Sequence, residues 1–389
     1  MHKVSTERLF DQDSYLKEFQ ATVLSCEKEG EDCWLVVLDR TAFFPEGGGQ
    51  SGDCGVLGTI EVTGTIEKDG IIYHLVKEPL QVGQAVEGKI DFSTRFDKMQ
   101  QHTGEHIVSG IVNTLYGYHN VGFHLGDEVT TFDFDGELSK EQVLDLENRV
   151  NEAVVANVPV VVSYPEHGKL STLEYRSKIE IEGQVRLVTI EGVDVCACCA
   201  PHVKRTGEVG MVKIVSCERH RGGCRLTILC GKRALKEYQR KQEICGKISA
   251  ALSAKPEQIN EAVERLKEQN QKLREQLNQV QTRYLQEKLQ GITQETTCVC
   301  IFEENLDSIA VRNFVNAAVE QCDGICGAFL GNDEKGYYYI LGSRSQDVRE
   351  AAKKLNESFN GKGGGKPQMV QGSLMGQETE IRKVLEAIK

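Results

Sequence analysis

From residue 1 to residue 92 the apolar positions come in short runs: Val23, Leu35–Leu38, Ile60 with Val62, Ile71–Tyr73 and Val86, separated by Gly and Asp. Runs of this length and spacing predict the strands of a small β-barrel or sandwich. The period then changes. Ile107, Ile111 and Leu115 recur every four residues and predict a helix over 93–116, with Asp91 or Ser93 as its cap. Residues 130–135 alternate as a strand, 139–156 form an amphipathic helix, and 158–162 and 186–190 read as strands, so 93–235 is a mixed α/β domain. A helix rich in Lys and Arg runs over 231–252. After Pro256, the residues Ile259, Val263, Leu266, Asn270, Leu273, Leu277, Val280 and Tyr284 recur at alternating spacings of four and three, and Gly291 ends the pattern. That heptad seam makes 236–291 a helical hairpin or coiled-coil linker, whose apolar face pairs with the preceding helix or with a second copy of the chain. In 292–389, strands at 299–302 and 337–341 and helices at 308–321 and 345–358 predict a C-terminal α/β domain. The expected fold class is α+β: an N-terminal barrel, a mixed α/β domain, a long coiled-coil-like helix and an α/β terminal domain.

Composition narrows the setting. A hydrophobic content of 40% and a charged content of 27% over 389 residues are those of an ordinary globular chain of two or three domains. No apolar run approaches the ~18 residues of a membrane span, and the first residues lack the apolar core of a signal peptide. A cytoplasmic address without a membrane partner is therefore expected, and the 14 cysteines are expected as thiols or ligands rather than disulfides. The net charge of −12 argues against a nucleic-acid partner until its distribution is considered. Residues 200–241 hold eleven Lys/Arg, including Lys204, Arg205, Arg219 and Arg221, against three acids, a local +8 that leaves −20 elsewhere. Such a segment is either a phosphate-binding footprint or a solvated face with balancing acids nearby.

Four short stretches carry candidate chemistry. In His102-Thr103-Gly104-Glu105-His106 the two imidazoles stack on one face of the predicted helix. The stretch Cys196-Ala197-Cys198-Cys199-Ala200-Pro201-His202 offers a thiolate and a third imidazole at Cys198 and His202. Three His and one Cys form a borderline-soft set suited to one zinc ion, and zinc sites assemble from separated pairs of this kind. His119 and His124 are rival ligands but read better as structural histidines. Gly47, Gly48 and Gly49 pack nothing; their use is to let backbone N–H groups approach a ligand, with Thr41 and Gln50 as polar contacts to an ester, ribose or hydroxyl. In the tail, Gly363, Gly364 and Gly365 lie between Lys362 and Lys366, a pattern able to hold phosphate through amides and charge. It lacks the form of a nucleotide-hydrolysing loop.

Together these stretches closely resemble the editing domain of alanyl-tRNA synthetases and their free-standing relatives, the AlaX trans-editing proteins. The resemblance rests on His102-Thr103-Gly104-Glu105-His106, Cys198…His202, Phe43-Phe44-Pro45-Glu46-Gly47-Gly48-Gly49-Gln50 and Gly122-Phe123-His124-Leu125 with Phe132-Asp133-Phe134. The tail Gly363-Gly364-Gly365-Lys366-Pro367-Gln368-Met369-Val370-Gln371 is similar to the DHH-associated domain that ends those synthetases. The order is that of a long-form AlaX. One departure is Cys198-Cys199-Ala200-Pro201-His202 where the family usually has Cys-Gly-Gly-Thr-His, which leaves Cys196 and Cys199 as alternative ligands. The class II aminoacylation core does not precede the barrel, so no charging of tRNA is expected.

The resemblance implies zinc-dependent hydrolysis, in trans, of seryl- or glycyl-tRNA bearing the alanine anticodon. It implies His102, His106, Cys198 and His202 as ligands and the Gly47–Gly49 amides on the substrate. Thr41 would meet the serine hydroxyl, Gln50 would act at the centre, and Glu105 would serve as an outer partner or base. The tRNA body would lie on Lys204, Arg205, Arg219, Arg221, Lys362 and Lys366, and the 256–290 helix or the C-terminal domain would join two copies into a homodimer. Two rival functions share these features: a non-catalytic tRNA-binding module with structural zinc, and a zinc hydrolase of another small ester.

Overall fold

The computed structural model describes residues 6–30, 32–166, 170, 172–177 and 184–388. The chain divides into two compact units, residues 1–245 and 246–389.

The first unit opens with a closed six-stranded barrel. Around it run Glu18–Lys28, Trp34–Leu38, Ile71–Val76, Ile60–Lys68, Gly55–Leu57 and Ala85–Ile90. Inward and outward residues alternate strictly in Ile71–Val76 and Ala85–Ile90, as a half-buried strand requires. The interior is filled by Val23, Val36, Leu38, Phe43, Leu57 and Val62. Asp91 then caps the helix Phe92–Tyr116 by accepting from the Thr94 amide at 3.2 Å, and Gly117, at φ +70°, ends it.

This histidine helix is not amphipathic in the expected way. It is buried nearly all round from Arg95 to Val112, and the buried positions include Arg95, Lys98, Gln101, Thr103, Glu105 and Ser109, whereas Leu115 is exposed. Buried polar groups must be paired. Lys98 donates to the carbonyls of Ser51 (3.2 Å) and Gly52 (3.0 Å). Gln101 exchanges two bonds with the Cys230 backbone. Arg95 pairs with Asp53 and also donates to the carbonyls of Ala42 (2.7 Å) and Ser14 (3.0 Å). The Asp53 carboxylate in turn accepts from the Phe44 amide at 2.6 Å. The helix is therefore bolted to the barrel segment that leads into and out of the glycine run.

On its other sides the helix meets a four-stranded sheet ordered Val212–His220, Gly223–Cys230, Thr130–Phe134, Asn120–Leu125, the helix Lys140–Val155, and a three-stranded sheet of Val160–Ser163, Leu187–Ile190 and Asp194–Ala197. The hairpin Val212–Cys230 falls within the basic segment. Its Val212, Ile214, Leu226 and Ile228 are buried while Lys213, Arg219 and Arg225 reach carboxylates of Glu147, Glu137 and Asp133.

The second unit holds the helix Ile259–Leu289 and a five-stranded sheet ordered Cys298–Glu303, Ile325–Asn332, Gly336–Gly342, Met369–Leu374, Lys362–Lys366. The first pair is parallel and the others antiparallel. The helix forms as the heptad spacing predicts. Its packed face, however, is Ala262, Gln281 and Leu285, while Leu273 and Val280 of the seam are each 63% exposed. The glycine-rich tail is an exposed edge strand. It pairs antiparallel with Met369–Leu374, and a Cβ would lie 2.5 Å from the Tyr339 hydroxyl at Gly363 and 2.2 Å from the Met369 carbonyl at Gly365. Among the described residues no helix is long and apolar enough to cross a membrane.

Candidate active site

His102 and His106 project from successive turns of the histidine helix toward the turn that follows the strand Asp194–Ala197. There they meet Cys198 and His202. Donor atoms of these four side chains all lie within 4.8 Å of one another, a His/Cys cluster able to hold a metal ion. The Nε2 atoms of His102 and His202 are each 3.5 Å from the Cys198 sulfur. Each imidazole spends its other nitrogen outward. Nδ1 of His102 faces Gln50 Oε1 at 3.2 Å, that of His106 faces Asp194 Oδ2 at 3.0 Å, and that of His202 faces the Thr103 hydroxyl at 3.0 Å. The amide oxygen and the carboxylate can only accept, so Nδ1 of His102 and His106 carries the proton and Nε2 is the free donor. Asp194 is itself gripped by Arg176 through bonds of 2.7 and 2.9 Å.

Without an ion, the cluster favours a Cys198 thiolate beside a His106 imidazolium, and a metal would take the place of the His106 proton. Burial alone would raise the Cys198 thiol, but the surrounding His102, His106 and His202 hold it well below its ordinary value, so it favours the thiolate. Burial alone would lower His106, and the bonds to Asp194 and the Cys198 sulfur reverse this and hold it well above the usual imidazole range. His202 is pushed down to about 3, chiefly by burial, and is neutral at physiological pH.

The cluster opens on a cavity of about 560 Å³ walled in part by Gly48, Gly49, Phe123, Arg186 and Cys199. Gly48 and Gly49 have φ of +60° and +79°, and a Cβ on Gly49 would lie 2.6 Å from the Phe123 ring. Gly47 and Gln50 close this hairpin by exchanging backbone bonds of 3.0 and 3.1 Å, and the Gly49 carbonyl accepts from Leu125 at 3.0 Å. A second cavity of about 680 Å³ shares Asn120, Ser177 and Cys196 with the first.

The sequence candidates fall out as follows. His102, His106, Cys198 and His202 come together; the sulfur in this cluster belongs to Cys198, while Cys196 groups with His106 and Asp194 and Cys199 lies on the cavity wall. Glu105 is buried, its Oε1 accepting from Ser109 (2.6 Å) and its Oε2 3.9 Å from His106 Nε2. Gln50 is also buried, and its Nε2 has no hydrogen-bond partner among the described residues. Thr41 is wholly buried in the barrel and off the cavity wall. Its Oγ1 lies 2.7 Å from His74 Nε2 and accepts from the Phe43 amide at 3.1 Å. Lys204 pairs with Asp13 at 3.1 Å, Arg205 reaches the Asn157 carbonyl, and Arg221 is at the hairpin turn with φ +47°. Lys362 and Lys366 end the exposed edge strand of the second unit. His119 bonds Asp135 at the surface, outside the cluster.

Comparison with known proteins adds an independent line. Residues 10–94 match the family described as tRNA synthetases class II (A), residues 185–226 the Threonyl and Alanyl tRNA synthetase second additional domain, and residues 294–389 the DHHA1 domain. The chain is 30% identical to the alanyl-tRNA editing protein AlaX-L of Pyrococcus horikoshii, with 96% of each chain covered. The chain belongs to the alanyl-tRNA editing proteins, in their long AlaX form. It is accordingly an editing enzyme, a deacylating hydrolase. It is also 28% identical to the alanyl-tRNA editing protein Aarsd1 of Danio rerio, over 92% of each, and 30% identical to an alanine–tRNA ligase of Pyrococcus abyssi, over 99% of this chain but 43% of the ligase.

Several residues of this editing protein's site were not singled out by motif reading: Asn120, Arg176, Arg186 and Asp194. Thr103 lies inside the His102–His106 stretch, but its bond to His202 was not foreseen.

Proposed function

We propose that the chain hydrolyses the ester of mischarged tRNA(Ala), seryl or glycyl, in trans, with one zinc ion held by His102, His106, Cys198 and His202. The observation that carries this reading is the convergence of three imidazole rings on one half-buried thiol, each ring tethered through Nδ1, beside a cavity sized for a terminal aminoacyl-nucleoside. The donor set fits zinc by type and number. When bound, zinc supplies Lewis acidity and a fixed point for orienting the ester.

The chain's own residues do the rest. The amides of Gly48 and Gly49, on the cavity wall, are the donors for the developing oxyanion. Gly47 shapes the hairpin that presents them, and Gln50 holds His102 while its Nε2 is a donor awaiting a partner. Glu105, its Oε1 fixed by Ser109, is the base that takes the proton of the attacking water. Thr41 sets serine selectivity at one remove, by bracing the Phe43–Phe44 turn that feeds the glycine hairpin. Lys204, Arg205, Arg219 and Arg221, with Lys362 and Lys366, take the phosphates of the tRNA body. The exposed seam of the helix Ile259–Leu289 is where a second copy pairs as a homodimer. The substrate locates the work in the cytoplasm.

One observation favours a second reading: four protein donors come together, and if all four held zinc they would leave no open position, as in structural zinc sites. Zinc-loaded protein incubated with seryl-, glycyl- and alanyl-tRNA(Ala) separates the readings. The expected result is loss of the first two with alanyl-tRNA spared, abolished in a His102→Ala/His106→Ala variant. No deacylation by metal-replete protein would leave a tRNA-binding module, and equal hydrolysis of free amino-acid esters would leave a small-ester hydrolase.

A further inference from the structure

All four cysteines of the second unit, Cys298, Cys300, Cys322 and Cys326, stand in contacting pairs. The two pairs differ. The sulfurs of Cys322 and Cys326 are 3.4 Å apart and sealed inside an apolar cluster with Phe314 and Val315. Packing accounts for them. The sulfurs of Cys298 and Cys300 are 3.5 Å apart, but both residues are half-buried and both border a cavity of about 700 Å³. Arg382 and Glu386 share its wall, and Arg382 Nη1 donates to the Cys300 carbonyl at 3.1 Å. With the Cys300 thiol as donor, the S–H···S contact holds Cys298 below the ordinary thiol value.

The backbone decides what the accessible pair can do. Cys298 and Cys300 are alternate residues of the edge strand Cys298–Glu303, in register with Ile325 and Gly327. A strand rises ~3.3 Å per residue, so their Cα atoms, and the Cβ atoms above them, stand roughly 6.6 Å apart. A disulfide asks for Cβ atoms about 3.5–4.5 Å apart. Closing one would buckle the strand out of register. A cation between the sulfurs asks the opposite: the sulfurs part by rotation about Cα–Cβ, and the backbone stays. Tetrahedral zinc takes four ligands, and among the described residues no third His, Cys, Asp or Glu donor forms a group with this pair. Soft thiolates select Cu(I), which is content with two of them. We infer that Cys298 and Cys300 form a two-coordinate site for a thiophilic monovalent cation, Cu(I), entered from the cavity. Both thiols lose their protons to solvent on binding, and the resulting anionic dithiolate complex faces the Arg382 guanidinium. The site is independent of the deacylase chemistry of the first unit.

The zinc-loaded full chain is titrated with Cu(I) in competition with the chelator bicinchoninate, and its cysteines are then alkylated and mapped by mass. One equivalent is expected to shield Cys298 and Cys300 together, while the exposed Cys199 and Cys245 stay reactive. Cys298→Ser and Cys300→Ser should each weaken retention of that equivalent by more than about a hundredfold, beyond the range for outer partners of a metal, and Cys322→Ala should leave it unchanged. Shielding of other cysteines first, or of one member of the pair alone, overturns the site. So does ready closure of a Cys298–Cys300 disulfide under hydrogen peroxide, seen as loss of the thiol hydrogens, because the strand would then bend as a disulfide requires. Shielding and disulfide closure are both read in the unaltered protein, so a variant that fails to fold does not remove the test.

Discussion

His74 and His106 are both buried in the first unit, yet they do opposite things. His74 spends both nitrogens inside the barrel: Nδ1 on the Val36 carbonyl at 3.0 Å, Nε2 on the Thr41 hydroxyl at 2.7 Å. Burial pushes it down to about 4, and it stays neutral. His106 spends only Nδ1, on a carboxylate, and turns Nε2 toward a thiol and two further rings. Asp194 and Cys198 overcome its burial and raise it. The pair teaches that burial does not separate a structural histidine from a ligating one. What separates them is whether the second nitrogen is already satisfied.

The largest test of this contrast removes a free nitrogen or its thiol. His106→Ala or Cys198→Ser should release the metal and cut deacylation of seryl-tRNA by more than about a hundredfold, above the range seen for outer partners of ligands; metal analysis alongside the rate checks it. Asp194→Asn keeps the shape but loses the charge on Nδ1. It should weaken zinc binding about ten- to a hundredfold in chelator competition, and an unchanged affinity would reduce Asp194 to a partner of Arg176.

On the barrel side the effects fall on stability. Thr41→Val leaves His74 Nε2 buried without a donor and should cost about 1–3 kcal/mol in denaturant unfolding, with serine-over-alanine selectivity eroded. Unchanged selectivity would remove Thr41 from the specificity argument. The pH sign follows from the depressed His74. The unfolded chain takes up this proton near pH 6.5 and the folded chain only near 4. Between those values the unfolded state binds more protons, so stability falls as acid is added, by up to roughly 1.4 kcal/mol per pH unit. His74→Gln should flatten that part of the profile. The smallest effect is on the surface: Arg219→Ala with Arg221→Ala should lower the salt slope of tRNA binding by roughly two.

Much of the first unit was legible in the chain. The short apolar run at Ile71–Tyr73 and the four-residue spacing of His102 and His106 are local patterns, and local patterns survive folding. The outer partners are not local. His106 meets Asp194 across 88 residues, and Thr103 meets His202 across 99. Nothing in composition or period marks a carboxylate for that role. The hairpin Val212–Cys230 escaped notice because its outward positions carry dense charge and hide the inward apolar alternation. The lysine-flanked glycines of the tail do not read as a strand because glycine is rare in strands; the crowding against Tyr339 at Gly363 and against the Met369 carbonyl at Gly365 belongs to the tertiary structure. The heptad pattern gave the helix correctly, but spacing alone does not say what covers a seam.

The Arg95–Asp53 pair has a consequence for how the first unit comes apart. It lies at the join between barrel and histidine helix, almost without solvent. Freeing either partner strands a charge in the interior, at about 3–5 kcal/mol. Fraying of the barrel and loss of the helix are thereby locked into one cooperative event. The glycine hairpin, threaded between Phe44 and Asp53, is thereby anchored at both ends to that join.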